Sequence, residues 1–267
     1  MRRAFSNTDS TGGAKACKVW QFQGMARAVK NPLQRIATVR MSVESPTKEH
    51  ADHMKALARE EFESWAGSYD RSLLHVFLFR PSYRVLTEEI ANWHDEHQRP
   101  MRVLDIGCGT GELASILSLG DWPIEVVGLD YSPAMCEVAS KKFERSDAPH
   151  RVRFTAADSE FLPFADNTFD VVTCSNSFHH YPHQGAVVRN IHRILKPQGR
   201  FVLIDGFRDN VVGWVTFDVV IAHIEKNVHH APWSQIDGYF RDADFANIRR
   251  RKFNFWMPLC ATIGEKL

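Results

Sequence analysis

The chain changes its hydrophobic rhythm near residue 100. Before that point apolar residues recur three and four positions apart. Ala51, Met54, Ala58, Phe62 and Trp65 form one such stripe, which predicts an amphipathic helix soon after Ser45-Pro46-Thr47. A second helical segment is expected over 71–79, and a third from Pro81, a favoured first helical position, to about Trp93. The polar stretch from His94 to Pro100 reads as a loop. Beyond it, short apolar runs alternate with helical segments. The runs 102–106, 124–129, 151–156, 169–174 and 199–205 predict strands, and 111–119, 133–145 and 184–195 predict helices. This alternation means βαβ units built around a parallel sheet. Gly199, just after Lys196-Pro197, suits a turn feeding the fifth strand. Residues 209–229 read as helical, 232–242 as helix or loop, and 247–254 and 256–263 as two final strands.

The first predicted strand ends in Val103-Leu104-Asp105-Ile106-Gly107-Cys108-Gly109-Thr110-Gly111-Glu112. Three glycines at every second position let the chain leave a strand, turn sharply and start a helix, and they leave bare backbone against which a nucleotide-like ligand can lie. A dinucleotide site would read G-x-G-x-x-G and needs glycine where this chain has Glu112. A carboxylate at that helix start repels a pyrophosphate and tolerates a cation. Asp130 ends the second strand, 19 positions after Gly111, where an acid can accept hydrogen bonds from both hydroxyls of a ribose. A helix N-cap is the other role open to Asp130, but Ser132 before Pro133 suits that role better. Asp158 follows the third strand. An acid or a glycine turn at three successive strand ends, in order, points to a ligand at the carboxyl edge of the sheet.

The glycine-rich stretch resembles that of the class I methyltransferases that use S-adenosylmethionine. The likeness extends to the small-molecule group that includes ubiquinone and menaquinone C-methyltransferases. It is carried also by Phe161-Leu162-Pro163-Phe164-Ala165-Asp166-Asn167-Thr168-Phe169-Asp170 and by Phe62-x-x-Trp65-Ala66-x-x-Tyr69-Asp70. The resemblance implies an α/β fold: a Rossmann-like, seven-stranded, mostly parallel sheet with helices on both faces, its last strand antiparallel, and an N-terminal helical cap. The domain boundaries that follow are a basic, disordered extension over 1–44, a cap region over 45–100 and the S-adenosylmethionine-binding domain over 101–267.

The same resemblance implies roles for single residues. The backbone of Gly107, Gly109 and Gly111 faces the methionine part of the cofactor, and Asp105 meets its amino group. Asp158 accepts from the adenine amino group, and the next backbone N–H, that of Ser159, contacts the ring. Beside these, the positions of Tyr131 and Met135 suit flanking the adenine, with a core role as the alternative for Met135. Tyr69 closes over the cofactor, where an aromatic face suits a sulfonium, and Ser175 completes the cofactor set. The fourth strand leads into Cys174-Ser175-Asn176-Ser177-Phe178-His179-His180-Tyr181-Pro182, where the acceptor meets the methyl group. The Asn/Asp-Pro-Pro-aromatic element of DNA adenine and protein glutamine methyltransferases is missing there. His179 or His180 is a candidate base for a hydroxyl or carbon acid, because imidazole titrates near neutrality.

Composition adds limits. With 33 basic and 32 acidic residues the formal net charge is +1, which gives no electrostatic case for a nucleic-acid or membrane surface. The run Arg249-Arg250-Arg251-Lys252 reads as a solvated edge strand, with a nucleic-acid patch as the alternative. Residues 1–43 hold eight basic residues and one acid, Asp9, a composition shared by organelle transit peptides, disordered tails and sequence upstream of a later start at Met25 or Met41. No apolar run precedes a small-residue cleavage site, which argues against secretion. No apolar stretch reaches the length of a membrane helix. The five cysteines lack zinc spacing, and Cys108, Cys136 and Cys174 sit in apolar contexts that suggest burial. Aromatic residues and histidines over 209–240, among them Trp214, Phe217, His223, His229, His230, Trp233 and Tyr239, suit an apolar pocket with a few polar groups; no metal is expected.

The expected activity is methyl transfer from S-adenosylmethionine to a small molecule, at carbon or oxygen, in the cytoplasm. A non-catalytic S-adenosylmethionine-binding protein, an RNA methyltransferase and a nucleotide-dependent oxidoreductase are the rival readings.

Overall fold

The computed structural model describes residues 47–65, 79–144, 151–206, 231–254 and 258–267. The basic extension, Tyr69, most of the helical segment expected over 71–79 and the segment 209–229 lie outside the described residues.

Seven strands form one sheet. They are β1 (Met101–Ile106), β2 (Ile124–Asp130), β3 (Val152–Ala156), β4 (Phe169–Ser175), β5 (Leu195–Gly206), β6 (Ala246–Phe253) and β7 (Leu259–Glu265), in the order β3-β2-β1-β4-β5-β7-β6. The first five pair in parallel, and β7 runs antiparallel to both β5 and β6. The helices are α1 (Lys48–Trp65), α2 (Arg80–His97), α3 (Glu112–Ser118), α4 (Pro133–Phe143), α5 (Gln184–Ile194) and α6 (Trp233–Asp242). The seven-stranded, mostly parallel sheet expected from the resemblance is therefore present, and the segment 232–242 resolves as helix.

Strands β1, β4 and β5 are central and covered on both faces, which is why they read as apolar runs rather than alternating patterns. One core packs Leu104, Ile106, Leu129, Val172 and Phe201 under Val187 and Ile191 of α5 and Phe240 of α6. The other packs Val103, Val126, Val171 and Val202 under Leu86, Ile90 and Trp93 of α2 and Leu113 and Leu117 of α3. The pleat sends alternate residues of each strand to opposite cores.

Two sequence expectations change. The polar stretch from His94 is not a loop, since α2 continues to His97. Its last turn is held by the His97 ring, which stacks on buried Trp93 at 4.1 Å, and the helix ends where Gln98 takes a left-handed φ of 50°. Hydropathy sees only the exposed polar face of that turn. The turn expected before Gly199 lies inside β5, which begins at Leu195. It survives as a bulge: the pairing with β4 jumps from Phe169↔Leu195 to Val171↔Arg200, and Gln198 in the bulge has φ 66°.

The last hairpin is bound to α2 by charge. Arg249 donates to both carboxylate oxygens of buried Glu89, at 2.8 and 2.5 Å, and Arg251 donates to Glu88 at 2.5 Å. Buried Arg200 of β5 donates to Glu96 at 2.6 Å and to Glu265 of β7 at 2.8 Å. Arg250 pairs with Asp237 of α6, and the Lys252 ammonium lies 3.9 Å from the Trp233 ring centroid. β6 is thus the exposed edge strand that the sequence predicts, and its basic run also makes intramolecular pairs. Among the described residues no helix is long and apolar enough to cross a membrane.

Candidate cofactor cleft

The carboxyl ends of β1, β2, β3 and β4 open on one edge of the sheet, into a cleft of about 1070 Å3 that includes its solvent-facing mouth. Asp105 and Asp130 line its floor. Asp105, the penultimate residue of β1, is buried, and its Oδ1 accepts the Thr173 hydroxyl from β4 at 2.7 Å. Burial pushes its pKa up to about 7; the Thr173 bond works against that and the nearby Asp130 charge adds to it. Asp130, the last residue of β2, is also raised by burial, against the pull of the backbone donors around it. Its Oδ2 accepts the Gly109 N–H and its Oδ1 the Ser132 N–H, both at 2.9 Å. Asp130 therefore ties the glycine loop to the start of α4, while Ser132 caps that helix by accepting the Met135 N–H at 3.3 Å.

The three glycines all have left-handed φ, but they are not needed for the same reason. A Cβ on Gly107 would sit 2.3 Å from the Ser177 Oγ, and one on Gly111 would sit 2.8 Å from the Phe154 ring. These two are glycines of packing. At Gly109 nothing lies within 4 Å of the Cβ position, so its open side faces the cleft. Gly107 and Gly109 line the cleft, as do Tyr131, Met135, Asp158, Ser159 and Ser175; Gly111 does not. At Gly111 the Phe154 ring fills the side where a Cβ would lie.

The roof comes from the helices before residue 100. Lys55 and Arg59 of α1 line the cleft, with Phe79 and with Tyr83 of α2, whose rings stack at 6.4 Å between centroids. The loop after β4 closes one wall. Asn176, at φ 52°, donates its side-chain amide to the Ser82 hydroxyl at 3.1 Å and so joins that loop to α2. The Ser177 and Tyr181 hydroxyls are 3.0 Å apart beside Gly107, and burial holds the Tyr181 phenol well above its ordinary pKa. The two histidines separate. His180 lines the cleft, whereas His179 is buried behind it. His179 donates its backbone N–H to Asp205 Oδ2 at 3.0 Å, and its Nδ1 lies 2.7 Å from Asp205 Oδ1. The two imidazoles are 4.2 Å apart between centroids.

Comparison with known proteins bears directly on this arrangement. The family described as "Methyltransferase domain" matches residues 104–203. Over 106 residues the chain is 41% identical to the uncharacterized methyltransferase YcgJ of Bacillus subtilis, covering 40% of this chain and 41% of that relative. Over 174 residues it is 32% identical to the demethylmenaquinone methyltransferase of Lactiplantibacillus plantarum, covering 57% of this chain and 73% of the relative. The chain belongs to the class I S-adenosylmethionine-dependent methyltransferases. A crystal structure of a methyltransferase from Aquifex aeolicus shares the fold, with TM-score 0.57 at 18% identity over 77% of this chain and 98% of that one.

The methyltransferase's own residues fit its cofactor, S-adenosylmethionine, which carries an ammonium, a sulfonium and two ribose hydroxyls. Two buried carboxylates face one cleft without a cation paired to Asp105 or Asp130 in the bonds described above, and a ligand bringing positive charge and hydroxyl donors relieves both. Glu112, the residue that argued against a dinucleotide, lies 3.6 Å from the Lys142 ammonium at the outer side of the loop and does not line the cleft. The buried thiols of Cys108, Cys136 and Cys174 agree with the sequence reading, and Cys260 is buried too. Cys108 lines the cleft, and its contact with Cys136 and its burial keep it protonated.

Lys55, Arg59, Phe79 and Tyr83 line the methyltransferase's cleft, yet no sequence motif announced them; Ser177 and Tyr181 line it from within the stretch after β4. Lys55 and Arg59 are four apart and so share a helix face. That spacing becomes meaningful only once the helix is known to lie across the sheet edge.

Proposed function

We propose that the enzyme moves a methyl group from S-adenosylmethionine to a carbon or oxygen of a small acceptor held between the α2 aromatics and the loop after β4. The observation that carries this reading is the pair of buried carboxylates, Asp105 and Asp130, at adjacent strand ends in the cleft that Gly107 and Gly109 also line.

When bound, the cofactor supplies a methyl carbon activated by its positive sulfur. The chain's task is alignment and exclusion of water, which together can contribute about 7–11 kcal/mol of barrier reduction. Asp105, as the carboxylate, holds the cofactor's ammonium. Asp130, fixed by two backbone donors, offers its remaining lone pairs to the ribose hydroxyls. Gly109 gives the methionine portion its close approach. Tyr131 and Met135 bracket the adenine, and Asp158 and Ser159 meet its edge. Tyr69 and Ser175 belong to the same set on the family likeness. His180 takes the acceptor's proton, and His179, gripped by Asp205, positions the His180 ring.

The pairing of the β6 basic run with α2 and α6 supports an acceptor that is not a nucleic acid, and a cytoplasmic site of action accords with the buried reduced thiols. Calorimetry with S-adenosylmethionine and S-adenosylhomocysteine tests the cofactor site; absence of binding to folded protein sinks the reading. A labelled-methyl assay against a metabolite extract, with the product identified by mass, tests the acceptor class.

A further inference from the structure

Helix α1 reaches the cofactor cleft with Lys55 and Arg59, and Lys55 grips two acids of the cleft wall. The Lys55 Nζ donates to Asp158 Oδ2 at 2.7 Å and to Glu160 Oε2 at 2.6 Å. The lysine side chain is 12% exposed and that of Glu160 only 5%. The two acids are themselves fixed. Asp158 Oδ1 accepts the Glu160 N–H at 2.9 Å, and Glu160 Oε1 accepts the His183 N–H, also at 2.9 Å. One ammonium from the cap thus gathers the loop after β3 and the approach to α5 into a single contact, and all three charged residues line the cleft.

We propose that Lys55 is the clasp that fastens α1 across the cleft, so that cofactor enters and leaves only when the Lys55–Asp158–Glu160 contact opens. The proposal rests on the assignment of this cleft to S-adenosylmethionine. It changes the role of Asp158: one carboxylate serves the cap and the cofactor together. Each carboxylate oxygen has two lone pairs, so Asp158 can accept from Lys55 and still accept a donor from the cleft side. The charge on Asp158 is then compensated by Lys55 rather than by the ligand. Burial lowers the tendency of Lys55 to stay charged, but its hydrogen bonds to Asp158 and Glu160 and the charges of those carboxylates together outweigh that and raise its pKa above the ordinary value, so the clasp is charged across the physiological range. The Lys55–Glu160 arm, at 12% and 5% exposure, is screened more weakly than the Lys55–Asp158 arm, whose carboxylate is 25% exposed. Added salt is therefore expected to speed the opening of the clasp only modestly.

The test uses the full chain and S-adenosylhomocysteine. Calorimetry on the wild type comes first; if the folded wild type binds nothing, the cofactor assignment falls and the clasp with it. Given binding, dissociation is followed by stopped-flow displacement for the wild type, Lys55→Met and Lys55→Arg. The expected result is at least a tenfold faster dissociation for Lys55→Met, with partial recovery in Lys55→Arg. Ligand should also slow amide exchange over residues 48–65 in the wild type but not in Lys55→Met, a difference that a purely structural lysine would not produce. Dissociation within twofold of wild type in a folded Lys55→Met overturns the clasp. Should that variant not fold, Glu160→Gln, which keeps the Lys55–Asp158 bond, replaces it with the same two readings and an expected severalfold effect.

Discussion

The Thr173 hydroxyl donates to the Asp105 carboxylate at 2.7 Å, across the register pair that joins β1 to β4. That single bond is the only one described for a carboxylate whose pKa burial raises to about 7. The ligand's ammonium needs the ionised form. Affinity for S-adenosylmethionine is therefore expected to fall about tenfold per pH unit below about pH 7, as measured by calorimetry, and Asp105→Asn should bind poorly at every pH.

The same carboxyl has an opposite effect on the ligand-free protein. Its folded pKa of about 7 exceeds the ordinary 3.8, so its contribution to stability is fully present below pH 3.8 and is lost as pH rises through 7. The span corresponds to at most about 4 kcal/mol. At pH 8 and without ligand, Asp105→Asn is expected to melt higher than the wild type, by roughly 2–4 °C for each kcal/mol regained. A lower melting temperature for Asp105→Asn at pH 8 would contradict the burial argument.

Gly109 and Gly111 separate binding from packing. Gly109→Ala puts a methyl group into the open cleft and strains a φ of 51°, at a cost of about 1 kcal/mol. It is expected to fold and to lose at least tenfold in affinity for S-adenosylhomocysteine. Gly111→Ala drives a methyl group toward the Phe154 ring, 2.8 Å from the Cβ position, and is expected to lose about 2–3 kcal/mol of stability. Melting curves and calorimetry on both variants read the difference; equal affinity losses would refute it.

His180→Asn is expected to lower turnover by about 100-fold or more while leaving the affinity for S-adenosylhomocysteine within twofold, because a general base acts only in the chemical step. Asp205→Asn keeps the size of the residue and loosens the hold on His179. It should lower turnover less, and through kcat rather than KM. An unchanged labelled-methyl rate in His180→Asn removes the base assignment.

Glu89→Gln removes the buried carboxylate that lies 2.5 Å from Arg249 and 3.7 Å from buried Arg200. A loss of about 2 kcal/mol in denaturant unfolding is expected. Arg84→Ala, which breaks an ion pair whose arginine side chain is 82% exposed, should stay within about 0.5 kcal/mol of wild type.

The parallel sheet and its carboxyl-edge acids were legible because each rests on local pattern. Asp105, Asp130 and Asp158 all stand just where apolar runs stop, and the strands of the centre are apolar on both faces. The end of α2 was not legible, since the stacking of His97 on Trp93 is a contact and not a hydropathy signal. Nor was the split between the glycines, because the need for Gly111 comes from Phe154, 43 positions later in the chain. Lys55 shows the same limit more sharply. Nothing in its neighbourhood of α1 distinguishes it from the exposed charges beside it until the two acids 103 and 105 residues away are brought to it.

The ion pairs between β6 and α2 also have a developmental meaning. Helix α2 carries Tyr83 into the roof of the cleft, and the arginines that brace the helix lie in a strand synthesised more than 150 residues later. In order of synthesis the floor residues Asp105 and Asp130 therefore precede the strand that braces the roof. Substitutions such as Arg251→Ala that cut a β6–α2 pair and leave the strand in place should therefore disturb the roof before the floor, a signature readily misread as damage to the active site.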